Sequence, residues 1–346
     1  MILVLNCGSQ SIKWKIFDEK LKIVKQNKLD VFNSEDFERI LTDELLKIKE
    51  EISLVGHRVV HGGENFKQPL KITEENLKEI EKINHLAPLH NPYNVLGIKV
   101  CKNIFKSAEQ VAVFDTEFFS DLPEKAYLYA LPEEVTKEFG FRRYGFQGIS
   151  HEYAARKAAE KIKKPFGKLK IITCHLGGGA SIAAIKNGKA IDTSMGFTPL
   201  EGLVMMTRPG NIDAGIVLEL IEKFSLSRAK EILNKESGIK GICGESDMLK
   251  VIAMTENPEE PKRRRAELAF DMFVYSIQKY IGSYFAVLGG CDVLVFTGSI
   301  GSGKPKTRNS ICKDLKFFLK KSKILVIDSD EELLIAQKIN ENFFKK

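Results

Sequence analysis

Apolar positions along the chain recur with two different spacings. Runs dense in branched and aromatic residues, each closed by a glycine turn, read as strands. Ile2–Asn6 leads into Cys7-Gly8-Ser9-Gln10-Ser11, and Ile12–Phe17 returns as a second strand. The same order comes back in the second half. Leu169–Cys174 enters the loop His175-Leu176-Gly177-Gly178-Gly179-Ala180-Ser181, followed by Ile182–Ile185, the turn Asn187-Gly188 and Lys189–Asp192. A further strand, Asp292–Phe296, runs into Thr297-Gly298-Ser299-Ile300-Gly301. Between these runs, Phe37–Glu50, Glu74–Ile83, Glu152–Ile162 and Ala266–Phe285 place apolar residues three and four apart, the spacing of helices. Alternating strands and helices predict an α/β class. The repeated unit of strand, glycine loop and returning strand predicts two related domains facing a cleft.

Length agrees with that reading, since 346 residues can form roughly two hydrophobic cores. Hydrophobic residues at 43% and charged ones at 29% exclude a mostly disordered chain. No window approaches the roughly 18 uninterrupted apolar residues of a membrane span. Met1-Ile2-Leu3-Val4-Leu5-Asn6 lacks the basic leader of a signal peptide and reads as a strand that starts at once. No membrane partner is therefore expected. Six cysteines lie far apart with no CxxC pair, which predicts reduced thiols and a cytoplasmic location.

The net charge is +7, and its densest run is Lys262-Arg263-Arg264-Arg265, just ahead of an apolar helical pattern. Without interleaved aromatics the run reads as a solvated helix start, and no nucleic-acid partner is expected. A mild positive field does suit small anionic substrates.

Glycine loops after strands let successive N–H groups approach an anion, and three such loops together point to nucleotide binding. One of them misleads. Gly298 to Lys304 fits GxxxxGK, but the following Pro305 has neither the hydroxyl nor the N–H that a phosphate loop needs there. Gly56-His57-Arg58-Val59-Val60-His61-Gly62-Gly63-Glu64 sets basic residues among glycines. Its His57–His61 spacing is compatible with a metal, but Arg58 between them favours an anion site. Val111–Phe114 delivers Asp115 to a strand end, where a carboxylate holds Mg²⁺ or activates a nucleophile. Met205-Met206-Thr207-Arg208-Pro209-Gly210 offers a second arginine in a turn. Two such arginines suit bidentate binding of carboxylate or phosphoryl oxygens.

Together these segments resemble the acetate/propionate/butyrate kinase family of the actin-like and sugar-kinase superfamily. The resemblance runs through Leu5–Lys13, Gly56–Glu64, Leu86-Ala87-Pro88-Leu89-His90-Asn91-Pro92, Phe114-Asp115-Thr116, Arg143–Phe146 and Cys174–Gly177. Its longest stretch is Thr193–Leu203, and Asp330–Ala336 resembles the closing motif. The resemblance implies two actin-like, ribonuclease-H-like domains flanking a nucleotide-binding cleft, with residues 1–117 plus 333–346 in one and 118–332 in the other. It further implies a cytoplasmic homodimer that phosphorylates acetate reversibly from ATP, with Mg²⁺.

By position, Arg58 and Arg208 would clamp carboxylate and phosphoryl group, and Asp115 and Glu331 would hold Mg²⁺ with Asn6 beside them. Ser9, Ser11 and Lys13 would lie in the first phosphate loop. His175 with Gly177, Gly178 and Gly179 would form the second, and Asp247, Gly298, Ile300 and Gly301 would meet the nucleotide. Val60, Leu89, Phe146 and Pro199 would surround the acetate methyl group, with His90 nearby. Acetate is expected ahead of propionate and butyrate, a methylene being worth about 1–3 kcal/mol in such a pocket.

Three departures bear on activity. Gln147 stands where the family has a histidine acting on the transferring phosphoryl group, so a neutral amide replaces a potential cation. On the nucleotide side, Met248 and Leu249 replace a Phe-Arg pair, Ser302 and Gly303 replace Glu-Asn, and Gly178 replaces an asparagine. The chain is also short for the family, with trimming expected after Gly241 and after Gly303. The sequence thus admits a kinase, or a nucleotide-binding regulatory homologue with weak or lost turnover.

Overall fold

The computed structural model describes residues 1–8, 11–31 and 33–344. The chain forms two compact units. The first comprises residues 1–120, 146–149 and 330–346, and the second comprises 121–145 and 150–329. The short segment 146–149 that belongs to the first unit has no counterpart in the boundaries expected from sequence.

In the first unit, β1 (Ile2–Gly8), β2 (Ser11–Phe17), β3 (Ile23–Asp30), β4 (Leu54–Val59), β5 (Leu70–Lys71) and β6 (Glu109–Phe114) form one sheet in the order β3-β2-β1-β4-β6-β5. The hairpins β1–β2 and β2–β3 are antiparallel, whereas β4 joins β1 and β6 joins β4 in parallel. Alternation along the strands sorts the faces. Leu3, Leu5, Ile12, Trp14 and Ile16 meet Phe37, Leu41, Leu45, Val100 and Cys101 in one buried cluster. On the other face, the helix Glu331–Ile339 lies so close to β4 that Ile335 and Ile339 occupy the space above Gly56.

In the second unit, β7 (Lys170–Leu176), β8 (Ala180–Lys186), β9 (Lys189–Thr193), β10 (Val293–Thr297) and β11 (Lys323–Val326) are ordered β11-β10-β7-β8-β9. Again two antiparallel hairpins lead the sheet, and two parallel strands extend it on the other side of the first strand. The repeat seen in the glycine loops is thus a repeat of topology. The helix Glu260–Leu288 covers this sheet with Phe270, Phe273, Ile277 and Ile281 buried.

Differences from the expected elements have local causes. The helix expected over Phe37–Glu50 stops at Leu45, where Leu46 and Lys47 turn back onto Thr42 and Glu44 carbonyls. The basic run Lys262–Arg265 lies within the opening turns of Glu260–Leu288, since Pro261 sets the helix start earlier than Ala266. β3 was not legible because most of its residues are exposed and no buried alternation marks it. The helix Asn91–Ile104 was missed because its buried face includes the polar Asn91 and Asn94. None of the six cysteines forms a disulfide, and burial pushes the thiols of Cys291 and Cys312 up to about 11. Among the described residues no helix is long and apolar enough to cross a membrane.

Two histidines buried in the first unit give it an acid-sensitive limb. His57 Nε2 lies 2.7 Å from Gln110 Oε1, and burial lowers its pKa to about 4. Burial, with His85 nearby, lowers His61 to about 4 as well. Both rings are neutral in the folded chain, whereas in the unfolded chain they take up protons near pH 6.5. Stability that is complete above about pH 6.5 is therefore lost as the pH falls toward 4, because the unfolded state binds the protons first. Urea midpoints should drop between pH 7 and pH 5, and His57→Gln should flatten that slope.

Candidate active site

Three neighbouring parallel strands of the first unit end at one place. β1 carries Asn6, β4 carries Arg58, and β6 hands over to Asp115, whose N–H bonds the Val59 carbonyl at 2.9 Å. The carboxyl ends of parallel strands are where open α/β sheets hold ligands. Arg58 donates from Nε and Nη2 to the two Asp115 oxygens at 3.2 and 2.5 Å, and from Nη1 to Asn6 Oδ1 at 3.1 Å. Glu331, at the first turn of its helix, lies 3.6 Å from Arg58 Nε. Asn6 Nδ2 reaches Glu331 and Glu332, and Lys15 pairs with Asp330 at 2.7 Å and Glu332 at 3.5 Å. Burial pushes the Asp115 carboxyl up, and Arg58 against it pulls the other way. Four carboxylates here face two cations, leaving an acidic excess.

Asp115 also holds the backbone just after Phe146. The Gln147 N–H bonds its carboxylate, and the Gly148 N–H bonds its carbonyl at 3.0 Å. A Cβ on Gly148 would lie 2.1 Å from that carbonyl oxygen, so only glycine permits the approach. Gln147 takes a φ of 60°, a conformation that L residues rarely adopt and that surrounding structure must enforce.

Beside this cluster, the turn after β4 is held by buried amides. Asn94 and Asn91 accept from the N–H groups of Val60 and His61, and Thr116 accepts from Gly62. Val60 and Phe146 are buried, Phe146 meeting the His61 ring edge-on at 5.5 Å, while Leu89 is 48% exposed and His90 half-buried. His57 and His61 have separate surroundings. Among the described residues no trio of His, Cys, Asp or Glu is arranged around a metal. Ser11 opens β2, Lys13 is exposed on the face that also carries Lys15, and Ser9 lies outside the described residues.

In the second unit the long motif Thr193–Leu203 is fastened from behind. Arg143 pairs with Glu201 at 2.7 Å and donates to the carbonyls of Thr193, Ser194 and Met195. Tyr129 donates to Glu201 and accepts from the Phe197 N–H at 2.9 Å. Arg208 differs from Arg58. Its Nη1 has only the Pro199 carbonyl at 3.3 Å and the Met205 sulfur at 3.9 Å, and among the described residues no carboxylate pairs with it. Burial alone lowers its pKa, the signature of a desolvated cation without its anion.

Several residues of the second unit expected to meet the nucleotide also gather. Gly178, Asp247, Met248, Leu249, Ser299 and Ile300 line one cavity of about 310 Å³. Gly298 takes a φ of 78° with its α-carbon face against the Leu176 carbonyl, bringing the third glycine loop onto the end of β7. The Gly177 N–H closes the second loop onto the Gly179 carbonyl at 3.1 Å, and Gly301 is buried behind it. Asp247 caps its helix by accepting from the Leu249 and Lys250 N–H groups, so its carboxylate is already occupied in shaping the cavity wall.

Comparison with known proteins decides the family. The sequence model of the Acetokinase family matches residues 24–340. The acetate kinase of Carboxydothermus hydrogenoformans is 42% identical, the match covering 98% of each chain. The crystal structure of Porphyromonas gingivalis acetate kinase superposes with a TM-score of 0.88 at 37% identity, covering 99% of both chains. That of a propionate kinase from Francisella tularensis gives 0.87 at 36%, covering 97% of this chain and 98% of the other.

This chain belongs to the acetokinase family.

Its two mixed sheets are those of an actin-like α/β fold. The match to the Carboxydothermus protein runs over 395 positions against 346 residues here, so this member is internally shorter. Leu249 is 52% exposed at the cavity wall, and a side chain on Gly178 would enter open space. Lys304 stands just before the helix Pro305–Lys313, with Pro305 at its first position, so the GxxxxGK match is a helix start. His151, the histidine nearest to Gln147 in sequence, is committed elsewhere: its Nδ1 and Nε2 lie 2.7 Å from Thr173 and Ser181.

Sequence reading missed Lys15, Asp330 and Glu332 around Arg58, and the Tyr129–Glu201–Arg143 group. Lys15 had a signal, since its two-residue spacing from Lys13 puts both on one face of β2. Removing Arg58 should expose what the pair holds together. Arg58→Met leaves Asp115 buried without its cation and should cost about 3 kcal/mol in urea unfolding. Adding Asp115→Asn should recover most of that loss.

Proposed function

We propose that this protein is an acetate kinase, transferring the γ-phosphoryl group of ATP reversibly to a carboxylate oxygen of acetate to give acetyl phosphate and ADP. The observation that carries the reading is Arg208. A half-buried guanidinium whose Nη1 meets a carbonyl and a thioether is matched to an incoming anion, and its planar fork suits a carboxylate or a phosphoryl group. Arg58, with three of its five donors engaged, is a rigid electrostatic element that lowers the cost of negative charge. Gln147 supplies a neutral donor at the position of the family histidine, so turnover is retained but reduced. Phosphoryl transfer asks the protein for positioning and charge stabilisation, which these groups provide.

The acidic excess around Arg58 fits a divalent cation, and Mg²⁺ is typically held by one or two carboxylates with the remaining ligands from phosphate and water. Asp115 and Glu331 would hold it, with Asn6 alongside. When bound, the ion would neutralise charge on the phosphoryl oxygens. The nucleotide would occupy the cavity beside Gly178 and Ile300, with His175 and Gly177–Gly179 toward its phosphates. Val60 and Phe146 support a small acyl pocket, which favours acetate over propionate and butyrate. Exposed Leu218, Phe224 and Tyr275 in the second unit support a homodimer, and unpaired thiols support a cytoplasmic setting.

Hydroxamate trapping with MgATP should detect acetyl phosphate, with propionate next and butyrate weakest. Arg208→Ala should abolish the signal, and Gln147→His should raise kcat about tenfold or more, since a missing transition-state donor typically costs on the order of 10²–10³. ATP binding in calorimetry without product from any of the three acids would replace the kinase reading with the regulatory one.

A further inference from the structure

His175 lies next to the end of β7, one residue before Leu176 and the second glycine loop. Its Nδ1 is 2.6 Å from the Oγ of Ser150, a residue with 0% exposure near the start of the helix Gly148–Ile162. The adjacent His151 explains how that contact is held. Its two ring nitrogens reach Thr173 on β7 and Ser181 on β8, all three residues buried, and Ser181 is the cross-strand partner of His175. The helix start is thereby pinned to the β7–β8 hairpin, and Ser150 is set against the His175 ring. Burial, with His175 close by, holds the His151 pKa well below its usual range, so the pin is a neutral imidazole.

A neutral imidazole carries one proton, and the partner of one nitrogen decides which nitrogen bears it. The other ring nitrogen of His175 is on the side of the glycine loop, where a Cβ on Gly177 would lie 3.8 Å from Nε2. Phosphate oxygens accept hydrogen bonds, so a useful His175 presents an N–H there. A hydroxyl can donate to Nδ1 and leave the proton on Nε2.

We propose that Ser150 is a positioning residue for the phosphoryl-transfer reaction: its hydroxyl donates to His175 Nδ1, fixing the ring and placing the proton on Nε2, which then donates to a nucleotide phosphate at the Gly177–Gly179 loop. This rests on the reading of that loop as a phosphate cradle. It differs from a packing role because the hydroxyl acts on which ring nitrogen carries the proton.

The test is long-range ¹H–¹⁵N correlation NMR on the full chain labelled at histidine, together with ATP affinity by calorimetry. In the wild type His175 should be the Nε2–H tautomer. Ser150→Ala should shift it toward a mixture and weaken ATP about three- to tenfold, the value of one hydrogen bond. Ser150→Thr, which keeps the hydroxyl, should restore both, and thermal melts would verify that each variant is folded. A wild-type His175 protonated on Nδ1 overturns the proposal, as does a folded Ser150→Ala protein whose ATP affinity stays within about twofold. Both readouts are independent of turnover, so absence of acetate phosphorylation would fail the kinase reading alone.

Discussion

The pairing of half-buried Arg58 with buried Asp115 is the constraint around which the strand ends of the first unit are arranged. A guanidinium and a carboxylate removed from water are costly unless each is fully engaged. Here the two Asp115 oxygens take two donors of Arg58, Asn6 takes a third, and the backbone after Phe146 bonds back to Asp115. Asp115 therefore orients an arginine with its carboxylate, which also takes the Gln147 N–H where φ is 60°, and anchors Gly148 through its main-chain carbonyl. Around the pair, Asp330, Glu331 and Glu332 outnumber Lys15, so the spot carries a surplus of carboxylate.

Each sheet presents its candidate site residues where its parallel strands end. In the first these are Asn6, Arg58 and Asp115; in the second, His175 faces Thr297 in register and Gly298 comes directly after it. Parallel neighbours finish on the same edge, so residues distant in sequence arrive side by side without long loops. The antiparallel hairpins of each sheet supply the return strands, and the helices shield the faces. In the second unit, Arg143 adds a different device. By collecting three successive carbonyls, it rigidifies the Thr193–Leu203 segment from behind and leaves its other side to Pro199 and Arg208.

Much of this was readable from pattern. Ile12, Trp14 and Ile16 alternate with Ser11, Lys13 and Lys15, and the structure buries the first set. The repeated strand–glycine–strand units correspond to two sheets that share one pairing scheme over five strands, the first adding the short antiparallel edge strand β5. Other features carried no local signal. β3 is a strand because β2 offers it an edge, not because its own residues alternate in burial. Asn91 and Asn94 are polar residues on a buried helix face because the turn after Val59 needs their side-chain carbonyls.

By itself, the sequence determined the α/β class, the repeated strand–glycine–strand unit and the family, because periodicity, glycine placement and motif spacing are local properties of the chain. Only the tertiary structure decided their electrical state and their company. It made Arg58 a committed ion pair and left Arg208 among neutral neighbours, it withdrew His151 into a hydroxyl-bonded pin, and it gave His175 a partner in Ser150. Those outcomes depend on burial and on contacts between residues up to hundreds of positions apart, as in Asn6 with Glu331. Desolvation and pairing act through space, and no spacing along the chain encodes them.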